Sequence, residues 1–238
     1  MVARCPFAEA RFLPESSTQP RIKPTQIISH TMAGTLSGTD AWFRRGDVGV
    51  ETHFGIGRGG RLYQWMDTTV RADGNYKANR RPDGTGAISI ETEGYASEPW
   101  TQAQIDMLVR LHVWLMRTHT SIGRRICRTA DDPGLGYHTM FGAPGPWTPV
   151  AKDCPGKKRI QQWREVVVPR VLAALKEEDM TADEIAAAVW NAEFGRGDRR
   201  VTAGRMLAET REDAHAVREA LDALAARVAA LEARMNQS

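Results

Sequence analysis

Ala87-Ile88-Ser89-Ile90-Glu91-Thr92-Glu93 sets isoleucines and polar residues at every other place and stops at Gly94. Side chains alternate between the two faces of a strand, so this run predicts a strand with Glu91 and Glu93 on one face. Upstream, Gln26-Ile27-Ile28-Ser29-His30, bounded by Pro24 and Gly34, reads as a short buried strand. Residues 48–56 and 61–66 are strand-like runs joined by Gly57-Arg58-Gly59-Gly60, which predicts a β-hairpin. Gly55-Ile56-Gly57-Arg58-Gly59-Gly60 resembles a dinucleotide fingerprint, but no helix follows, so it is read as a turn.

Downstream, the pattern becomes helical. Thr101 and Gln104 have capping-box spacing, and Ile105, Leu108, Val109, His112, Leu115 and Met116 recur on one helical stripe. His112 lies within that stripe and is read as core. A Gly/Pro-rich loop follows over 132–155, interrupted by Tyr137-His138-Thr139-Met140. A second helix is expected over 157–178, with Pro169 kinking or breaking it. Strands and helices intermixed in this way predict an α/β domain over 24–176, with a mixed central β-sheet flanked by helices.

The flanks differ from this core. Residues 1–23 are rich in Pro, Ser and charge and read as an irregular arm. Residues 177–201 read as a linker with a short Ala-rich helix opened by the Thr181/Glu184 capping pair. From 202 to 238 one long helix is expected. Leu207, Ala214, Leu221, Val228 and Met235 fall every seven residues, and Thr210, Val217, Leu224 and Leu231 fill the complementary offset. About four heptads of this kind predict a coiled-coil segment and a homo-oligomer, with strand number left open. A helix docked on its own domain is the alternative.

Composition narrows the function classes. The 238 residues are 42% hydrophobic and 26% charged, ordinary for a globular protein. No apolar run approaches the ~20 residues of a membrane span, and the N-terminus has no apolar signal region. A cytoplasmic site of synthesis and no membrane partner are therefore expected. Three cysteines give no disulfide framework. The net charge of +3 leaves only a mild basic bias before residue 181, too small to indicate nucleic acid.

The chemistry-bearing residues are His30 at a strand end, His138 in the loop, and Cys154 in Lys152-Asp153-Cys154-Pro155-Gly156. Two histidines and one cysteine suffice to hold a catalytic zinc, which keeps a fourth position for water. Taken singly, each histidine also fits a hydrogen-bonded structural role, and the cysteine a buried filler.

Five segments occur in order: 28–31, the hairpin from Thr52 to Gln64, 88–94, Gly136-Tyr137-His138, and 152–156. Together they resemble the type 2 N-acetylmuramoyl-L-alanine amidases, a family related to peptidoglycan recognition proteins and common among bacteriophage endolysins. The resemblance implies a Zn2+ ion held by His30, His138 and Cys154, with Glu91 and Lys152 in catalysis. It implies cleavage of the amide between the muramic acid lactyl group and L-alanine of bacterial peptidoglycan. It also implies an endolysin that waits in the cytoplasm of an infected host before reaching the wall. A non-catalytic peptidoglycan-binding module is the alternative. Some relatives carry a tyrosine where Thr52 stands here, which shifts the expected base to Glu91, with Glu93 as a weaker candidate. His53 is expected either in the cleft or as a structural residue of the hairpin.

Overall fold

The computed structural model describes residues 3–45, 47–179, 193–194 and 201–235. The chain divides into two compact units, Met1–Glu177 and Glu178–Ser238.

The first unit is built on a six-stranded sheet. Its strands are β1 (Glu9–Ala10), β2 (Lys23–Ser29), β3 (Phe54–Ile56), β4 (Leu62–Gln64), β5 (Thr85–Thr92) and β6 (Gly134–Tyr137), in the order β1-β4-β3-β5-β2-β6. Every neighbouring pair is parallel except the β3/β4 hairpin. This is the mixed α/β architecture expected from the sequence. The expected hairpin strands are shorter than their apolar runs: residues 48–53 lie outside any strand, and the turn 57–60 connects only three residues on each side. The arm read as irregular contributes β1 at one sheet edge and a 3-10 turn at Pro14–Ser17. It is held there because Cys5 is buried, its amide donating to the Gln64 side chain (2.8 Å).

Alternation along the strands separates the two faces. Ile27, Phe54, Ile56, Ile88 and Ile90 share one core with the helix α2 (Gln102–Thr118) and with the helical segment 157–179. α2 begins at the expected capping box: Thr101 Oγ1 accepts from the Gln104 amide, and the Gln104 side chain accepts from the Thr101 amide. Its Leu108, Leu111 and Leu115 are wholly buried, each stabilising the packing by roughly 1.5–3 kcal/mol. His112 is also in this core, its Nδ1 against the Leu108 carbonyl at 2.7 Å. The last helical segment runs as Lys157–Gln162, a π-helical turn at Trp163–Val167, and Val168–Asp179. Pro169 has no N–H for the Glu165 carbonyl and crowds it, so the ladder widens just upstream, with Val168 N–H reaching the Trp163 carbonyl.

The opposite sheet face carries Ile28, Ser89 and Gly136, which lie in register across β2, β5 and β6. Two residues further along each strand lie His30, Glu91 and His138. Because these strands are parallel, their C-terminal ends coincide, and the three side chains meet on that face.

In the second unit, Glu193–Phe194 and Val201–Thr202 pair antiparallel, and Ala203–Met235 forms one helix of 33 residues. Leu207, Val217, Leu221 and Leu224 are 55–60% exposed along it. The expected Ala-rich helix opened by Thr181 lies outside the described residues. Among the described residues, no helix is long and apolar enough to cross a membrane.

Candidate functional site

His30 follows β2 directly, and its amide donates to the Ile90 carbonyl (2.8 Å). His138 follows β6, and its amide donates to the Ser29 carbonyl (3.2 Å). The two rings are 4.1 Å apart between centroids. Cys154 returns from the long loop with its sulfur accepting the Thr31 amide (3.4 Å), while its carbonyl accepts Thr139 Oγ1 (2.8 Å). One ligand atom from each of His30, His138 and Cys154 lies within 4.8 Å of the other two, and all three residues are buried.

The hydrogen bonds decide which nitrogens face inward. His30 Nε2 donates to Asn75 Oδ1 (2.8 Å), and His138 Nε2 donates to the Trp147 carbonyl (3.0 Å). That leaves Nδ1 of each ring with its lone pair. His138 Nδ1 is buried without a hydrogen-bond partner. Oxygen acceptors that fix a histidine tautomer are the usual support of a metal-ligating imidazole. Burial holds both rings neutral: it depresses His138 to about 4, helped by nearby Lys152, and His30 well below its ordinary value, helped by His138. Neutral imidazole is the form that binds a cation. Burial also pushes the Cys154 thiol up to about 12, with Glu91 adding to the effect. Two neutral imidazoles, one with its inward nitrogen orphaned, and one cysteine sulfur fit a divalent metal of the zinc type.

Glu91 lies on β5 beside this cluster, with Oε1 3.9 Å from His30 Nδ1. Its Oε2 is buried without a partner. Burial pushes its carboxyl up to about 7, against the pull of Lys152 and Arg159. Lys152 is exposed and lines the same cleft, a hollow of about 350 Å³ bordered by His30, Thr52, Glu91, His138 and Cys154. A second hollow of about 320 Å³ adjoins it past His138 and Lys152. Exposed Trp42 and Val50 border the first, and exposed Tyr76 and Val150 the second.

Three expectations sort out differently. Glu93 is not at the cleft. It lies one residue beyond the end of β5, under the first turn of α1 (Leu36–Phe43), where its Oε2 accepts the amides of Leu36 and Arg58 (both 3.3 Å). His53 is wholly buried and structural, with Nδ1 accepting the Ser89 amide (3.1 Å) and Nε2 at 3.0 Å from the Val70 carbonyl. Thr52 does border the cleft, although only 1% of it is exposed.

Residues that sequence reading missed support the cluster from behind. Asn75, the Trp147 carbonyl and Arg159 lie outside every motif segment, and Thr31 stands in the segment 28–31 without a role of its own assigned there. Gly136 is the one signal: a Cβ there would sit 2.5 Å from the Trp147 ring, so only glycine lets that indole lie over β6 and bring its carbonyl to His138.

The family model described as N-acetylmuramoyl-L-alanine amidase matches residues 20–157. No curated protein matches the chain by sequence. Among solved structures, a selenomethionine derivative of AmpD is 17% identical, with 70% of this chain and 98% of that chain covered at a TM-score of 0.50. The N-acetylmuramoyl-L-alanine amidase LysC from Clostridium intestinale URNW is 18% identical, with 71% and 97% covered and a TM-score of 0.45. The Drosophila peptidoglycan recognition protein SA is 12% identical, with 66% and 91% covered and a TM-score of 0.44. At 17% identity the likeness to AmpD is one of fold. The matched sequence span takes in more than half of the chain and every cleft residue named above, and the chain belongs to the N-acetylmuramoyl-L-alanine amidase family.

Proposed function

We propose that this chain is a zinc-dependent hydrolase of bacterial peptidoglycan, cutting the amide between the lactyl group of N-acetylmuramic acid and L-alanine. The observation that carries the reading is the convergence of His30, His138 and Cys154 beside a buried, partly unpartnered Glu91. Zinc held by these three side chains would supply an activated water near neutral pH and a Lewis acid for the acyl oxygen.

The chain's own residues divide the remaining work. Glu91 accepts a proton from the attacking water as the new C–O bond forms, then gives it to the departing alanine nitrogen as the C–N bond breaks. A carboxyl near 7 can perform both transfers at neutral pH. Lys152, on the cleft wall, places a fixed positive charge beside the developing oxyanion. Asn75 and the Trp147 carbonyl hold the imidazoles in the tautomer that keeps Nδ1 free. The apolar rim of Trp42, Val50, Tyr76 and Val150 offers contact area to a long glycan–peptide polymer along both hollows.

The biological setting belongs to the same proposal: a phage-type endolysin, held in the infected cell and released to the wall. The exposed stripe of Leu207, Val217, Leu221 and Leu224 is assigned to self-association in a coiled coil. The test is release of new N-terminal amines from purified cell wall, with and without chelator. Chelator-sensitive release supports the reading. Binding to the wall with no such release favours the non-catalytic module.

A further inference from the structure

Arg159 is the one wholly buried arginine among the described residues, and it makes no ion pair with any of them. It stands five residues after Cys154 on α3 (Lys157–Gln162), and its guanidinium reaches back beneath the strand ends. Nε donates to the Glu98 carbonyl (3.0 Å), and Nη2 donates to the Glu93 carbonyl (3.0 Å). Nη1 donates to Thr31 Oγ1 and to Thr92 Oγ1 (2.9 Å). A buried cation with no carboxylate is costly, and neutral oxygens satisfy it here.

The two threonines lead onward to the metal cluster. The Thr31 amide donates to Cys154 Sγ, and Thr92 Oγ1 donates to the His30 carbonyl (2.6 Å). Gly94, with φ of 107°, makes room: a Cβ there would sit 2.5 Å from Arg159 Nη2. One guanidinium is therefore a single residue removed from the Cys154 sulfur and from the backbone that carries the His30 ring, through two different elements. A lysine could keep the charge but not the planar fork that spans Thr31, Thr92 and the two carbonyls.

We propose that Arg159 is a positioning residue that sets the spacing of the Cys154 sulfur and the His30 ring through Thr31 and Thr92, and so tunes the affinity and geometry of the metal centre. This rests on the metal reading above. It concerns no proton transfer and no contact with substrate.

The experiment is Co2+ titration of the full chain after metal removal, read from the visible d–d bands and the sulfur-to-cobalt charge-transfer band. Wild type, Arg159→Lys and Thr31→Val are compared. Thr31→Val removes the Arg159 acceptor but keeps the Thr31 amide, and serves if Arg159→Lys does not fold. The expected result is a Co2+ affinity about 10–100-fold weaker in both variants, with a shifted or weakened charge-transfer band. Wild-type affinity and spectra in a folded variant would overturn the proposal for Arg159, because a merely structural arginine changes melting and leaves both readouts alone. Failure of the wild-type chain to give the charge-transfer band would instead refute the metal reading.

Discussion

Replacing Asn75 by alanine isolates one support of the metal centre. His30 and Asn75 are both buried, and Nε2–H meets Oδ1 at 2.8 Å. Without that oxygen, His30 has two options. It can keep its proton on Nε2 and leave a buried N–H unpaired, or shift the proton to Nδ1 and lose the lone pair that faces the cluster. An unpaired buried donor costs about 1–3 kcal/mol. Loss of an outer partner of a ligating histidine typically weakens metal binding by about 10–100-fold, or roughly 1.4–2.8 kcal/mol, so the two figures agree. The assay is the zinc Kd by chelator competition on folded protein, with the melting temperature of the metal-free form measured alongside. Asn75→Ala is expected to raise the zinc Kd about 10–100-fold. Asn75→Asp keeps an acceptor and is expected to bind zinc at least as tightly as wild type. A folded Asn75→Ala with an unchanged zinc Kd would refute the tautomer argument.

Three further outcomes follow from other parts of the molecule. Glu91→Gln should keep bound metal and fold while lowering hydrolysis by roughly 10²–10⁴, and a folded, metal-loaded Glu91→Gln with wild-type hydrolysis would contradict the role. Glu51, away from the metal cluster, is pushed up to about 7 by burial first and then by Asp73 and Glu15. Its folded form therefore binds the proton more tightly than the unfolded chain does. That stabilisation is whole below about 4.5 and is lost as pH rises through about 7. Glu51→Gln should raise stability at pH 8 by up to about 3 kcal/mol and leave pH 4 nearly unchanged, as read from denaturant melts at both pH values. A chain ending at Glu178 should sediment as a monomer while the full chain sediments as an oligomer; equal monomeric masses would remove the coiled-coil proposal.

What could be read in advance follows from how local each signal is. The strands Lys23–Ser29 and Thr85–Thr92 declare themselves because a buried parallel strand needs a short apolar run with punctuation at both ends. The α2 start is written in two residues three apart, Thr101 and Gln104, whose side chains each bond the other's backbone amide. Glu93 misled because alternation specifies a face and not what covers it: the first turn of α1 lies over Glu93 and leaves Glu91 open to the cleft. Asn75 and Arg159 were invisible for a related reason. Each is a polar residue buried by elements distant in sequence, and only the assembled fold supplies its partners. Residues 48–53 looked like strand because Val48 and Val50 favour extended backbone, yet no strand ladder includes them, and the His53 carbonyl is taken up by the Trp65 amide (2.8 Å).

The most direct measurement of the central claim is metal content by elemental analysis on wild type and Cys154→Ser, paired with mass spectrometry of digested muropeptides. The account predicts close to one zinc per wild-type chain and little in the variant. It also predicts free L-alanine amino termini and intact lactyl acids from the wild-type digest alone. A wild-type chain that cleaves this bond with no metal, or equally well after loss of the Cys154 sulfur, would contradict it.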